Sequence, residues 1–585
     1  MRWLIKYVTY ALLLLLLLFI FAYIGLQTRW GASYSSQFLS KFTDYDIDIG
    51  VMGHEFSNPG EFIFQDIKIA SQNKDLSLDA RQVVIDINWR NLFSGHAIRR
   101  FVITQGDLAA NLSQGATSLP ISANILQFEN SQITLKQGED DIQVTGFTGG
   151  ITPWRPTDTS LAGYGDFRFT ANQLSFNKLA FKNVAITGKH QEQVTDISKA
   201  SAYLNNGYIA GEGKRFSDGS ITIDSLAMNK VGWENNLDFN TLFDAINSDK
   251  TIQVKNLELT NVDIQGKDWA LSGLSTEIDQ LSIVRGSWTS PKSKISFNVD
   301  QFVAKDQQLS TLIGELSIDG DKLNINKLSG YYYKGVFNLS GVWQRNDQTL
   351  TINDGKLAGI LYTLPENWLS FFAEPAPTWL SGLSIKKFTV TQSLLMNIQP
   401  TFPFEFTALS ANIENVDLIK QKQWGIWSGK ATFNADSGTI NQVLVRRPFL
   451  EIRQSGKSSA AASLTVSTDK GISKIGLLVK QEPQKVPFLL HASGTNIDLI
   501  DLNQWGWSGF PAQVVGDFDA TLQGDLLAPS LAKSLNGELM AIPLQGKRQF
   551  RTVVNGTVTS SVEPETDLQP TEPSLAEPLP ELTTQ

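Results

Sequence analysis

The chain has 585 residues, no cysteine, and 49 Lys and Arg against 58 Asp and Glu, for a net charge of -9. Without cysteine there are no disulfides, thiolate metal sites, cysteine nucleophiles or lipidated N-terminal cysteine, and the acidic balance provides no basic face for nucleic acid. Charged residues make up 18%, below the usual quarter, and are replaced by Ser, Thr, Asn and Gln set between Val, Ile, Leu and Phe, a strand-forming mixture.

The first element is an apolar run from Val8 to Leu26, preceded by Arg2 and Lys6. At about 1.5 Å per residue a helix of this length spans about 30 Å, the thickness of a bilayer's hydrocarbon core. A signal peptide has a shorter core and a small-x-small cleavage site; this run leaves through Gln27-Thr28-Arg29-Trp30 with no A-x-A. We therefore expect an uncleaved single-pass anchor over 8–26. The flanking charges put residues 1–7 in the cytoplasm and the body outside it, although Arg29 reduces the contrast. Over 27–43, Trp30, Tyr34, Phe38 and Phe42 recur every four residues, the spacing of one face of an amphipathic helix. These four are the membrane-interface candidates; a helix that simply caps the first strands is the equal alternative.

From residue 44 to 555 the pattern turns to alternation. Phe167 and Phe169, Leu174 and Phe176, Ile221 and Ile223, Leu323 and Ile325, and Leu350 and Ile352 are apolar residues two apart with polar residues between them, as on strands with one apolar face; Phe62 and Phe64, two apart across Ile63, join them as candidates. Asp218-Gly219, Asp319-Gly320 and Asp354-Gly355 read as hairpin turns. The expected fold is mainly β: a long curled antiparallel sheet whose strands meander in chain order. Short helices are expected at Leu237 to Ile246, Pro365 to Leu383 and Ile497 to Trp505, with section breaks near 240 and 375. Residues 556–585 turn to Pro, Glu, Ser and Thr, and from Ser560 on should form a disordered acidic tail.

No motif carries catalytic chemistry. Asp44, Asp46, Asp48 and Glu55 have the carboxylate spacing of a calcium loop, but Ile49 stands where that loop needs Gly, so the reading is an acidic strand face. Gly211-Glu212-Gly213-Lys214 lacks phosphate-loop spacing and reads as a tight turn. His54, His96, His190 and His491 are scattered surface or turn residues. What repeats is an apolar strand face with few helices to cover it. Such a face must close on itself as a sandwich or form a trough for acyl chains. In the second case the twelve alternating residues named above, from Phe62 to Ile352, are the candidate groove lining.

The order of anchor, short helix, Asp46-Ile47-Asp48-Ile49-Gly50 and Phe62-Ile63-Phe64-Gln65-Asp66-Ile67-Lys68-Ile69 resembles the N-terminus of the AsmA family of Gram-negative bacteria. Ala80-Arg81-Gln82-Val83-Val84-Ile85-Asp86-Ile87 fits as well, and Gly516-Asp517-Phe518-Asp519-Ala520-Thr521-Leu522-Gln523-Gly524 is similar to the family's C-terminal signature. The resemblance implies an inner-membrane protein with a periplasmic body like the bridge-like lipid-transfer proteins, an apolar groove that takes phospholipid, no cofactor and no catalytic residues. Inner-membrane lipids, phospholipid and other envelope proteins are the implied partners. A scaffold for outer-membrane protein assembly is the alternative, and an envelope enzyme or glycan binder a weaker one.

Overall fold

The computed structural model describes residues 2–562 apart from 73–74, 92–96, 112–120, 138–139, 158–161, 178, 239–250, 285–286, 290–292, 305–306, 367, 369–373 and 483–484. Among the described residues two helices, α1 (Arg2–Leu26) and α2 (Arg29–Phe42), precede thirty-four strands, so the chain is mainly β. Within α1, Tyr7–Leu26 is long and apolar enough to cross a membrane once, and none of it is buried. The turn into α2 is tight. Thr28 caps α2 by accepting from the Gly31 N–H at 3.3 Å, and Gly31 sits so close to α1 that a Cβ there would lie 2.3 Å from the Gly25 carbonyl oxygen.

The first strand, Tyr45–His54, pairs with Glu61–Ser71 on one side only. Its other edge is covered by α2: the Ile47 and Ile49 N–H groups donate to Ser40 Oγ at 2.8 Å and Ser36 Oγ at 2.9 Å. Two serines one turn apart thus satisfy two edge donors that would otherwise face solvent or another chain. Fully buried Ala32, on the same side of α2, joins the core around Ile49, Ile67, Ala80, Val83 and Phe101.

Strict alternation does not describe the strands. Many carry a left-handed residue in their interior, and Phe404–Lys420 carries two: Asp66, Gln105, Asn130, Asn183, Asn261, Gln280, Thr311, Gln392, Ala408, Asn415, Arg447 and Asn496 all have φ between 44° and 55°. At several of these points the apolar phase slips by one. In Ala123–Gln137 it passes from Leu126 and Phe128 to Ile133; in Leu179–His190 it passes from Phe181 to Val184 and Ile186. A one-residue slip in a perfectly regular strand would send every later side chain to the opposite face. The left-handed residue, acting as a bulge, absorbs the slip and bends the strand, so the apolar side chains stay together. In Gly165–Phe176 the phase also changes, from Phe167 and Phe169 to Leu174, but that strand has no left-handed residue of its own; the one beside it is Asn183 of the paired strand.

Strands follow one another in space, but the expected antiparallel meander is interrupted. Ile98–Asn111 runs parallel to Ala123–Gln137, Ile221–Asn229 to Ile252–Gln265, and Thr349–Ala358 to Gly382–Asn397. Parallel neighbours need a long crossover, and the connections 112–122, 230–251 and 359–381 supply it. The positions 240 and 375 lie in two of these connections. The helix expected from Leu237 to Ile246 falls, beyond Asp238, outside the described residues, as do 367 and 369–373 of the helix expected over Pro365 to Leu383. The third, Ile497 to Trp505, is reduced to one turn, Asp501–Gln504.

Three local expectations are corrected. Asp354-Gly355 is the interior of the strand Thr349–Ala358, where glycine is needed because a Cβ would meet the Phe388 ring at 2.2 Å. Gly211-Glu212-Gly213-Lys214 is a bulge inside the strand Gly207–Phe216, not a turn. Thr557–Val562 pairs with Gln549–Val554, so ordered sheet continues past Ser560; residues 563–585 lie outside the described residues. Asp218-Gly219 and Asp319-Gly320 do form turns, with Gly219 and Gly320 at positive φ.

The chain divides into two compact units, residues 1–332 with 338–346, and 333–337 with 347–585. In the first, apolar clusters follow one another along the strands, around Val83 and Phe101, then around Val144, Ala171 and Val184, then around Leu204, Val231 and Val262. In the second, the largest cluster gathers Ile497, Leu499, Leu502, Phe518 and Leu539, and a smaller one lies around Ala376, Leu380 and Ile419.

Candidate functional site

In the first unit the apolar side chains held together by the strand slips leave a hollow of about 400 Å³. Its wall includes Leu174, Phe181, Val184, Ile186, Ile197, Ile209, Ile221, Ile223 and Leu226, drawn from five successive strands. A second hollow of about 620 Å³ lies among Thr148, Asp166, Arg168, Lys189, Asp196 and Ser198, with Leu126 and Phe167 also on its wall, on a set of strands that overlaps the first. It carries charges of both signs and suits water and ions. Glu212, Lys214 and Arg215 border the first hollow, but the surface it offers is almost wholly apolar while that of the second is mixed, so the first is the one that suits hydrocarbon.

The twelve lining residues read from alternation do not form one surface. Leu174, Ile221 and Ile223 share the 400 Å³ hollow. Phe64 and Phe167 pack against the core around Val83 and Phe101, and the Phe169 ring lies 5.2 Å from that of Phe147 in the same region. Phe176 ends its strand 38% exposed. Leu323 and Ile325 are half-buried opposite Ile318 and Leu316. In the second unit Leu350 packs on the cluster at Ala376, Leu380 and Ile419, while half-buried Ile352 pairs with Ile385.

Phe62 belongs to a different group, at the membrane helix. The Tyr23 hydroxyl, inside the apolar span of α1, lies 2.7 Å from His54 Nδ1 and donates to the His54 carbonyl at 3.1 Å. The His54 ring is 4.9 Å from Phe62, whose ring is 6.1 Å from Trp89, and Phe56 at the hairpin tip is 4.8 Å from Tyr23. Strand Tyr45–His54 thus ends beside the last turns of the apolar helix, and the exposed rings there are Phe56 and Trp89. On α2, Trp30, Tyr34, Phe38 and Phe42 are 60–73% exposed, with Trp30 against Tyr34 and Phe38 against Phe42 at 5.0 and 4.7 Å. Of the two expected alternatives the structure displays the cap, made by the helix's small residues on the sheet edge, while its aromatic stripe remains uncovered.

Among the described residues no group of three or more His, Asp or Glu could hold a metal ion. Asp46 and Asp48 lie on a strand, with Asp48 opposite Lys68. His491 lies 2.9 Å from Asp519, and His190 Nδ1 lies 2.8 Å from Thr195 Oγ1. The large acidic shift is at Asp501, whose carboxyl is pushed up to about 6 by burial first and then by Asp498 and Asp469. Reading by alternation missed two features: the serines of α2, visible only as Ser36 and Ser40 four apart, and a second apolar hollow in the C-terminal unit, signalled only by Phe402, Phe404, Phe406 and the pair Trp505 and Trp507.

The chain is 29% identical over 566 residues to the AsmA family protein YicH of Escherichia coli (strain K12), a match that covers 96% of this chain and 99% of that one. No family model matches the chain. No solved structure matches it.

Proposed function

We propose that this chain is a member of the AsmA family and a single-pass inner-membrane protein whose periplasmic β body binds phospholipid acyl chains along its apolar sheet face and contributes to phospholipid transport between the inner and outer membranes. The observation that carries this reading is the set of left-handed residues that keeps apolar side chains on one face through the phase slips of strands such as Ala123–Gln137 and Leu179–His190. A protein needing only a packed sandwich gains nothing from leaving a 400 Å³ apolar hollow. The exposed N-terminal helix and the aromatic stripe beside it supply the attachment to the membrane. In this reading the N-terminus is cytoplasmic, the protein is not an enzyme, needs no cofactor, and takes direction from a lipid gradient or an envelope partner.

Photocrosslinking in intact cells tests it. Probes go at Phe181, Ile186, Ile209 and Ile223 of the apolar hollow, with controls at Asp166, Arg168, Lys189 and Ser198 of the polar one. Phospholipid adducts confined to the first four are expected. Adducts to protein alone, or to lipid equally from both sets, would overturn acyl-chain binding.

A further inference from the structure

The second apolar hollow lies wholly in the C-terminal unit and measures about 440 Å³. Its floor is made by Leu464, Val466, Ile475, Leu490, Ala492 and Leu522, from strands that pair in succession from Ser459–Ser467 to Val515–Asp525. Its roof is a strap of chain between two of those strands, from Leu499 to Val514, closed at its base where the Leu499 N–H donates to the Val514 carbonyl at 2.8 Å.

The strap is braced within itself and tied down at both sides. Asn503 and Phe510 exchange two hydrogen bonds, at 2.7 and 2.9 Å. On one side the Arg551 guanidinium donates to the Ser508 and Gly509 carbonyls at 3.0 and 3.3 Å and stacks 4.6 Å from the Phe510 ring. On the other, Trp505 Nε1 donates to the Ile440 carbonyl at 3.1 Å, and the Asn441 amide donates to the Gln504 carbonyl. Four strand spacings separate Ser437–Ile440 from Pro487–Asp498 along the ladder. On a flat sheet that is about 19 Å, a distance the strap itself covers: Trp505 stands seven residues beyond Asp498, and its indole reaches the Ser437–Ile440 strand.

None of the fifteen residues around the hollow carries a charge, amide or hydroxyl. Water inside would find almost no partners, and an interior packed to ordinary density would not leave so much space. The volume is at the lower end of the roughly 300–1,000 Å³ of ligand pockets, suited to one hydrocarbon chain and not to a whole two-chain lipid. A headgroup has nothing to bind there.

We propose that this roofed hollow is a compartment for a single acyl chain, with the Trp505–Trp507 arm of the strap as its cover and the Trp505–Ile440 and Asn441–Gln504 bonds as the latch. The proposal rests on acyl-chain binding by the sheet as a whole, but names a separate site that the trough of the first unit does not require.

The test uses the full chain in vesicles of phosphatidylglycerol that carry a diazirine midway along one acyl chain, with adducts mapped by mass spectrometry. Adducts at Leu464, Ile475 or Leu490, together with adducts at Phe181 or Ile223, are the expected result. In Ala492→Trp, which fills the hollow from its floor, loss of the burial of two methylenes alone predicts about a tenfold fall in chamber adducts; those of the first unit should be unchanged. Asn441→Ala, which removes half of the latch without touching the hollow, should speed chamber labelling. Adducts in the first unit with none under the strap of the unaltered chain would overturn the compartment and leave the general reading standing. No acyl adducts anywhere would overturn both.

Discussion

Asn130 isolates the principle on which the apolar face depends. It sits inside the strand Ala123–Gln137 at φ 44°, with its side chain exposed, and its own N–H donates to Thr148 Oγ1 at 3.0 Å. Changing the side chain therefore leaves that bond available and tests the backbone conformation alone. A left-handed residue other than glycine or asparagine costs about 1–2 kcal/mol, and a β-branched one stands at the upper end because its Cγ atoms crowd the preceding carbonyl. Asn130→Val should destabilise this region by about 2 kcal/mol, which is about a thirtyfold rise in the opening equilibrium. Asn130→Gly relieves the strain but raises the entropy of the unfolded chain, so it should lie within about 0.5 kcal/mol of the parent. Gln132→Val, two residues on and also exposed, is the control, where a β-branched residue on an extended strand should be neutral or slightly stabilising. Amide hydrogen exchange over 123–152 reads these differences locally, without treating a chain of two units as one cooperative transition. Equal exchange in Asn130→Val and Gln132→Val would refute the claim that the slip requires a left-handed residue.

Three further outcomes follow from particular contacts. Ser36→Ala leaves the buried Ile49 N–H without its acceptor and should cost about 1–3 kcal/mol, seen as faster exchange at Ile49, while Ser36→Thr should retain most of the protection. Because the chain has no cysteine, a single Phe38→Cys can carry an environment-sensitive dye. Its emission should shift to the blue in liposomes and be quenched by lipids brominated near the headgroup, whereas the same dye at Arg168→Cys should show neither change. Asp501 has a folded-state value raised to about 6 from an ordinary value near 3.8. The folded state then holds more protons than the unfolded state between these values, so this group's contribution falls as pH rises from about 4 to about 6 and stays low above that. Asp501→Asn should therefore stabilise the C-terminal unit by about 1 kcal/mol at pH 7.5, after allowance for solvent screening of a half-buried group, and the gain should vanish near pH 4 in melts across the range. A gain independent of pH would show that the aspartate's charge is not the cause.

Local composition was enough to make several features legible in the sequence. A run of apolar residues from Val8 to Leu26 has a single structural use, because its length and polarity specify a helix without reference to the rest of the chain. Trp30, Tyr34, Phe38 and Phe42 repeat at the period of a helix and do lie on one exposed face. Alternating apolar residues gave strands throughout, and Asp218-Gly219 gave a turn because glycine there takes a positive φ.

What the sequence by itself did not determine depends on neighbours remote in the chain. Asp354-Gly355 has turn composition, but Phe388 of the parallel strand occupies the space where a Cβ would stand, so packing overrode local preference. The parallel junctions could not be read, since strand direction is set by the route of the crossover and not by the strand's own residues. Leu174, Ile221 and Ile223 came together in one hollow while Phe62 went to the membrane helix and Leu350 to the cluster near Leu380. Period two records that a strand has an apolar face, not which neighbours that face meets. The interior slips decided the remainder. An Asn, Gln or Asp between two apolar phases looks like an ordinary polar residue in one dimension, and only a folded sheet, in which both halves of a strand must turn the same face to the same neighbours, forces that residue into the left-handed region.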